Sequence, residues 1–385
     1  MKSGSLRCKK MTDKTQKKPS RQRRITLTTV ACLVLGGLLL GACSSTPTSH
    51  STGGTSSSAV SATPTVNPTL QSEGNAQLQA YQQWITLLQQ SGGTVTTYQQ
   101  QYTRDQQALS HATTDATYTS ALTTLQGHVQ AIKIPAMKQE SVSLQQKLQQ
   151  QVSSWGQQNT YHDAYNNQTY ALDYEYDSAH GIGGPEWLQQ ELSADQTLAD
   201  YQQTVEDLQM WLYNFQQMQA NYGDKTPSNQ AHQADLTLLQ HYGFMNERVV
   251  VVSLTEQTLR AYDSGKLVNS FQVTTGQPDL PSPPGNWWFE GKQHPTVFKS
   301  SAPKGSPDWY PDTPITYAMQ YHSNGYFFHD AWWRTQFGPG TNFPHQDPNG
   351  DPFAGQGSHG CVNMSTNDSA WLYNFVSVYT RIVIY

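Results

Sequence analysis

Cysteine is almost absent from this chain: four in 385 residues, of which Cys8, Cys32 and Cys43 precede residue 44 and only Cys361 follows. Everything after Cys43 therefore lacks the second thiol that an internal disulfide needs. Basic residues are not in excess either. With 23 Lys and Arg against 28 Asp and Glu the formal charge is −5, which gives no electrostatic case for a nucleic-acid partner. Nor is there an apolar run long enough to cross a bilayer. The longest, Ile25 to Leu40, falls short of the roughly 20 residues a span requires.

That short run has a different meaning. It follows a densely basic segment (Lys9, Lys10, Lys14, Lys17, Lys18, Arg21, Arg23, Arg24) and ends in Leu40-Gly41-Ala42-Cys43. Basic flank, short apolar core and small residues form the pattern of an export signal, here residues 1–42. Small residues before a cysteine resemble the lipobox of bacterial lipoproteins. The resemblance implies cleavage before Cys43, acylation of its thiol, and an extracytoplasmic protein anchored to the membrane by lipid. Cleavage would remove Cys8 and Cys32 and leave Cys361 as the lone free thiol. An ordinary signal peptide or an uncleaved anchor is the alternative, and Met11 is a second candidate start. Residues 43–69 are rich in Ser, Thr, Pro and Gly and nearly devoid of large apolar side chains. Such a segment cannot bury enough surface to offset its ordering entropy, so it reads as a tether.

Residues 70–222 change character to Gln, Ala, Leu, Tyr and Thr, with few prolines and few charges. Helical periodicity recurs: Leu78, Tyr81, Ile85, Leu88; then Leu144, Leu148, Val152, Trp155; then Leu198, Tyr201, Val205, Leu208, Leu212, Phe215. Ser193 with Gln196 predicts a capping box for the last of these helices, and His180 to Pro185 a loop before it. The region is expected to form a Gln-rich bundle or antiparallel coiled coil of three to five helices. No catalytic constellation lies in it; spacing, oligomerisation and binding of a protein partner all remain open for it.

Residues 223–246 form a turn-rich linker with one short helix, Ala231 to His241. Beyond them the pattern becomes that of strands. Val-rich Arg248 to Leu254, Leu259 to Tyr262 and Leu267 to Thr275 read as strands, with Asp263-Ser264-Gly265-Lys266 as a hairpin turn. Aromatics, Gly and Pro dominate residues 276–357. The whole is expected to be an α+β multidomain protein, helices first and a mainly-β domain, residues 247–385, second.

Within that second domain the stretches "VVVVSLTEQTLRAYDSGKLVNSFQVTTGQ", "LPSPPGNWWF", "NGYFFHDAWW" and "GSHGCVNMSTNDSAWLYNFV" resemble the YkuD-type L,D-transpeptidase family. The most specific element is Ser358-His359-Gly360-Cys361-Val362-Asn363, preceded by His329-Asp330-Ala331-Trp332-Trp333. The resemblance implies a small β-sandwich packed with a helix over Asn367 to Val376. It implies Cys361 as nucleophile, His329 as its base oriented by the Asp330 carbonyl, and His359 as a site-shaping or leaving-group residue. It further implies oxyanion donors at Gly360 and Cys361, and Ser358, Asn363 and Trp333 along the substrate groove. The substrates would be peptidoglycan stem peptides, with no cofactor and no metal.

Elementary chemistry agrees with the spacing. A thiol needs an imidazole nearby to become a nucleophile. His359, two residues from Cys361, would point to the same side if the segment were extended; His329 can meet Cys361 only through the fold. A structural cysteine and a packed histidine are the bland readings of each residue alone. A metal site from His322, His329, His345, His359 and Asp347 lacks compact ligand spacing. One feature departs from the family: residues 330–357 separate His329 from Ser358, roughly twice the family's spacing. The extra "RTQFGPGTNFPHQDPNGDPFAGQG" is expected to form a lid or rim over the cleft, and it brings His345 forward as a competing base. The last strand, Arg381 to Tyr385, also lacks the family's preceding glycine and has Tyr379-Thr380 there. The competing functions are an L,D-carboxypeptidase and a wall-associated scaffold lipoprotein.

Overall fold

A computed structural model describes residues 66–385 apart from His180, Ser301, Pro307 and Asp308. The expected signal segment, Cys43 and the tether up to residue 65 lie outside the described residues, as does His180 of the expected loop. Among the described residues no helix is long and apolar enough to cross a membrane.

Three helices open the structure: α1 (Pro68–Gln90), α2 (Thr96–His111) and α3 (Asp115–Gly156). Asn67 starts α1 by accepting the Thr69 amide, with Pro68 in the first turn where its missing N–H costs nothing. The stripe Leu78, Tyr81, Ile85, Leu88 is buried as its spacing requires, against Tyr118, Leu122, Leu125, Val129 and Ile132 of α3. Helix α3 is 42 residues long, about 60 Å at 1.5 Å per residue. Pro135 interrupts its hydrogen-bond ladder where one hydrophobic core ends and another begins.

A hairpin, β1 (Thr160–Asp163) with β2 (Gln168–Ala171), follows inside what the sequence presents as purely helical. Then come α4 (Tyr174–Asp177), α5 (Pro185–Ala194), α6 (Leu198–Tyr222) and α7 (Gln233–His241). Six helices thus lie between residues 66 and 222, one of them only four residues long. The cap of α6 differs from expectation. Ser193 lies in the last turn of α5, its hydroxyl donating to Gln190 O, while Thr197 and Asp200 form the capping box. The stripe itself holds: Tyr201, Val205, Leu208, Leu212 and Phe215 are buried.

The remainder is a two-sheet β structure. It comprises β3 (Arg248–Ser253), β4 (Thr258–Asp263), β5 (Lys266–Gln272), β6 (Gly285–Trp288), β7 (Gly291–Gln293), β8 (Thr296–Phe298), β9 (Thr313–Ile315), β10 (Ala318–His322), β11 (Tyr326–Asp330), β12 (Val362–Met364), α8 (Thr366–Phe375) and β13 (Arg381–Ile384). One sheet runs β5-β4-β3-β13-β6 and the other β12-β11-β10-β7, with β8 and β9 paired apart. Ser264 and Gly265 both have positive φ, the signature of the two-residue turn that matches strand twist. Strand β3 is buried on both faces at Val249 to Val252, and for that reason it reads as an unbroken apolar run.

Part of the helical region shares one core with the sheets. Leu148, Val152, Tyr176, Leu188, Leu208, Trp211, Phe215 and Met218 pack in one cluster with Val250, Val252, Leu259, Phe328, Val362 and Ile384. Helix α7 is locked to the sheet by a buried charge network. Arg260 donates to both Asp235 oxygens (2.5 and 3.2 Å), and Tyr262 and Tyr385 donate to the same carboxylate (2.6 and 2.5 Å).

Candidate active site

Strand pairing brings the key residues together. Strands β11 and β12 run parallel with Phe328 opposite Val362 and His329 opposite Asn363. Alternation then divides the side chains. Phe328, Val362 and Met364 face the core and are fully buried, while His329 and Asn363 face the other way, into a cleft. Cys361, one residue before β12, lines the same cleft of about 350 Å³ with His329, Ser358, His359, Asn363 and Trp333.

Cys361 follows a turn rather than an extended strand. Ser358 closes that turn twice: its hydroxyl accepts the Gly360 amide at 3.0 Å and donates to the Cys361 carbonyl at 2.5 Å. Gly360 has φ of +100°, and a Cβ there would come within 2.5 Å of the Tyr326 ring and 3.1 Å of Pro281 O. Only glycine fits that position. Its carbonyl accepts from Ser282 Oγ at 2.8 Å and from Tyr321 OH at 3.4 Å. Two expectations change as a result. The Gly360 amide, expected as an oxyanion donor, is engaged by Ser358. His359 does line the cleft, but by way of the turn rather than an extended run, with its exposed ring 5.5 Å from that of Tyr310.

His329 is 4% exposed, and its Nδ1 lies 2.9 Å from the Asp330 carbonyl. That contact fixes the tautomer: Nδ1 carries the proton and donates, leaving Nε2 as acceptor. Burial pushes His329 down to about 4, the Asp330 carbonyl only partly opposing, so the ring is neutral at neutral pH. The Asp330 carboxylate points elsewhere, accepting the Thr316 and Tyr317 amides at 2.9 and 2.7 Å. Burial pushes the Cys361 thiol up to about 11, despite an opposing Phe327 backbone hydrogen bond. The S–H donates to Gly325 O at 3.8 Å. The resting pair is therefore a thiol and a neutral imidazole.

One cleft wall comes from the long 330–357 segment: Trp333, whose ring is 6.0 Å from that of His329, with Arg334, Asp351, Phe353 and Gln356. Arg334 holds it in shape, donating to Ala354 O at 3.0 Å and Gln356 O at 2.6 Å. Phe298 and Tyr310 to Pro314 also line the cleft. Sequence reading missed Phe298, Tyr310, Trp332 and Phe353. The only signal was the general aromatic richness of residues 276–357, which does not distinguish wall from core. His345 is not among the cleft-lining residues; its Nδ1 contacts Phe343 O at 2.8 Å and its Nε2 is buried. Among the described residues no group of three or more His, Cys, Asp or Glu is placed to hold a metal ion.

Residues 247–384 match the family model of the YkuD L,D-transpeptidase catalytic domain. Two curated relatives from Mycobacterium tuberculosis are similar to this chain. A probable L,D-transpeptidase 3 is 27% identical over 115 residues, 29% of this chain and 37% of the relative. L,D-transpeptidase 1 is 27% identical over 131 residues, 33% of this chain and 46% of the relative. The chain thus spans less than half the length of either. A solved L,D-transpeptidase from Mycobacterium smegmatis aligns at 25% identity and TM-score 0.30, covering 36% of this chain and 58% of its own.

Proposed function

We propose that this protein is a cysteine-dependent acyltransferase acting on peptidoglycan stem peptides, an L,D-transpeptidase that forms 3–3 cross-links. The supporting observation is that Cys361 lines one cleft with a His329 whose Nδ1 is held by the Asp330 carbonyl. The Cys361 sulfur attacks the carbonyl between the third stem residue and its terminal D-alanine. An S–C bond forms as the thiol proton passes to His329 Nε2. The C–N bond then breaks, D-alanine departs with that proton on its amine, and a thioester remains. An amine of a neighbouring stem attacks the thioester and gives its proton to His329; the new amide forms and the thiol is restored. Water in place of the amine gives L,D-carboxypeptidase activity.

Asn363 and Trp333 border the path of the donor stem, and the Cys361 amide is the remaining candidate among the expected oxyanion donors. His359, on the exposed side, would serve the departing or entering amine. Cys43 would carry the lipid that tethers the enzyme outside the cytoplasmic membrane, facing the cell wall. Incubation of the purified protein with tetrapeptide stems tests the reading. It predicts released D-alanine and a stem dimer; a protein that merely binds stems without releasing D-alanine would be a scaffold.

A further inference from the structure

The hairpin and α4 sit against the segment that the catalytic domain carries in excess. Phe343, 2% exposed, is enclosed by aromatic rings from that region. Tyr161 stacks on it at 4.6 Å, Tyr170 at 5.1 Å, and Tyr174 meets it edge-on at 5.7 Å. Gly340 approaches so closely that a Cβ would lie 2.9 Å from Tyr161 OH. The Tyr174 hydroxyl makes two bonds across this junction. It donates to Gly276 O at 2.7 Å and accepts from Asn342 Nδ2 at 2.8 Å, both buried.

Those two partners flank the nucleophile's turn. Ser358 is strung between the neighbours of Gly276: its amide donates to Thr275 O at 2.9 Å, and its carbonyl accepts from Gln277 N at 3.0 Å. Gly357, just before it, is packed between Asn342 O and Gln277 N, with room for no Cβ. Ser358 in turn holds Gly360 N and Cys361 O. A chain of contacts thus runs from Tyr174 through Gly276 and Asn342 to Ser358 and Cys361.

We infer that Tyr174 is a positioning residue for Cys361, and that the region before the catalytic domain sets the nucleophile's geometry. This inference rests on the proposed cysteine chemistry but concerns a different residue. A buried hydroxyl that satisfies two groups is costly to lose, because both are left without a partner. The expected consequence is a looser Ser358–Cys361 turn and a sulfur less well aligned with His329 and the substrate carbonyl. Misalignment of that kind slows the chemical step more than it weakens binding.

The test uses the full chain carrying Tyr174→Phe, Asn342→Ala, or both. Two quantities are measured: D-alanine release from tetrapeptide stems, and the rate of Cys361 alkylation by iodoacetamide as a function of pH. Each single variant should lower kcat and the alkylation rate by about tenfold, with KM changed by less than about twofold. The double variant should be no slower than the slower single one, since both remove the same tie. Rates and pH profiles of the folded variants within about twofold of wild type would overturn the inference, whatever happens to the melting temperature. So would multiplicative losses in the double variant. If Tyr174→Phe fails to fold, Asn342→Ala decides alone. If the wild type releases no D-alanine the functional proposal fails, while alkylation still reads the geometry.

Discussion

The two halves of helix α3 live in different surroundings. Before Pro135 it packs with α1 and α2 around Tyr81, Ile85, Leu122, Leu125 and Ile132, a core that contains no residue from the sheets. After Pro135 it contributes Leu148 and Val152 to the core it shares with the sheets. The first half packs among helices alone; the second shares its core with the sheets. A boundary drawn near residue 222 follows the change in sequence period but cuts through that shared core. Composition changes where secondary structure changes, whereas a core is defined by which faces meet.

The largest effect should come from inside the cleft. His329→Ala removes the proposed general base and should lower the rate on the order of 10²–10⁴, with partial recovery at high pH where the thiolate forms unaided. His345→Ala, held at Phe343 O and away from the cleft, should cost far less. Steady-state D-alanine release separates the two, and reversed magnitudes would move the base into the long segment.

The comparison between the halves is sharpened by two core truncations. Phe215→Ala removes a fully buried ring that meets Trp155 and Tyr176. It should cost about 3–5 kcal/mol and depress turnover with stability. Leu125→Ala, equally buried in the other core, should cost about 2–5 kcal/mol there. Turnover should survive it. Calorimetry with parallel activity assays would show whether only one of two transitions moves; a loss of activity with Leu125→Ala would mean the halves are one unit.

Glu175 gives a smaller effect with a definite sign. Burial pushes this carboxyl up to about 8, local hydrogen bonding only partly opposing. Its folded value lies above its unfolded one, so the native state holds the proton more tightly. The associated stability is fully present below about pH 4.5 and is lost as pH rises through about 8. Asp173, pushed to about 6 by burial, and Asp207, pushed to about 7 for the same reason, act in the same sense. Glu175→Gln should flatten the fall in melting temperature between pH 5 and 8, on the order of a few kcal/mol across the window. An unchanged slope would contradict the assignment.

The smallest effect is at the last strand. Tyr379, 74% exposed, has φ of +72°, in the left-handed region that favours glycine. A tyrosine in that region is strained by roughly 1–2 kcal/mol. Tyr379→Gly should therefore stabilise by about 0.5–1 kcal/mol after the flexibility of glycine is deducted. A lower melting temperature would show that the ring makes contacts worth more than the strain.

Much of the site was legible because its chemistry is local. Ser358 to Asn363 lie on six consecutive residues, and the alternation of β11 and β12 turns that string into a core face and a cleft face. The hairpin turn at Ser264-Gly265 and the α6 stripe were legible for the same reason. What the sequence hid is long-range. Tyr174 meets Asn342 across 168 residues, and nothing in either neighbourhood marks the contact. The β1–β2 hairpin was masked by the Gln- and Tyr-rich composition it shares with the flanking helices. Ser193 looked like a cap because Ser and Gln stood at the right spacing, but Thr197 and Asp200 offered a better one four residues on.

The most direct measurement is intact-protein and peptide mass spectrometry after brief incubation with a tetrapeptide stem. The account predicts one acyl group per chain, mapped to Cys361 as a thioester, with one D-alanine released for each. Because burial raises the thiol to about 11 and lowers His329 to about 4, neither changes protonation between about pH 6 and 9, and thioester formation through the neutral imidazole should vary little across that window. Cys361→Ser should carry no adduct. D-alanine release that persists in Cys361→Ser, or an adduct mapped to any other residue of the native chain, would contradict it.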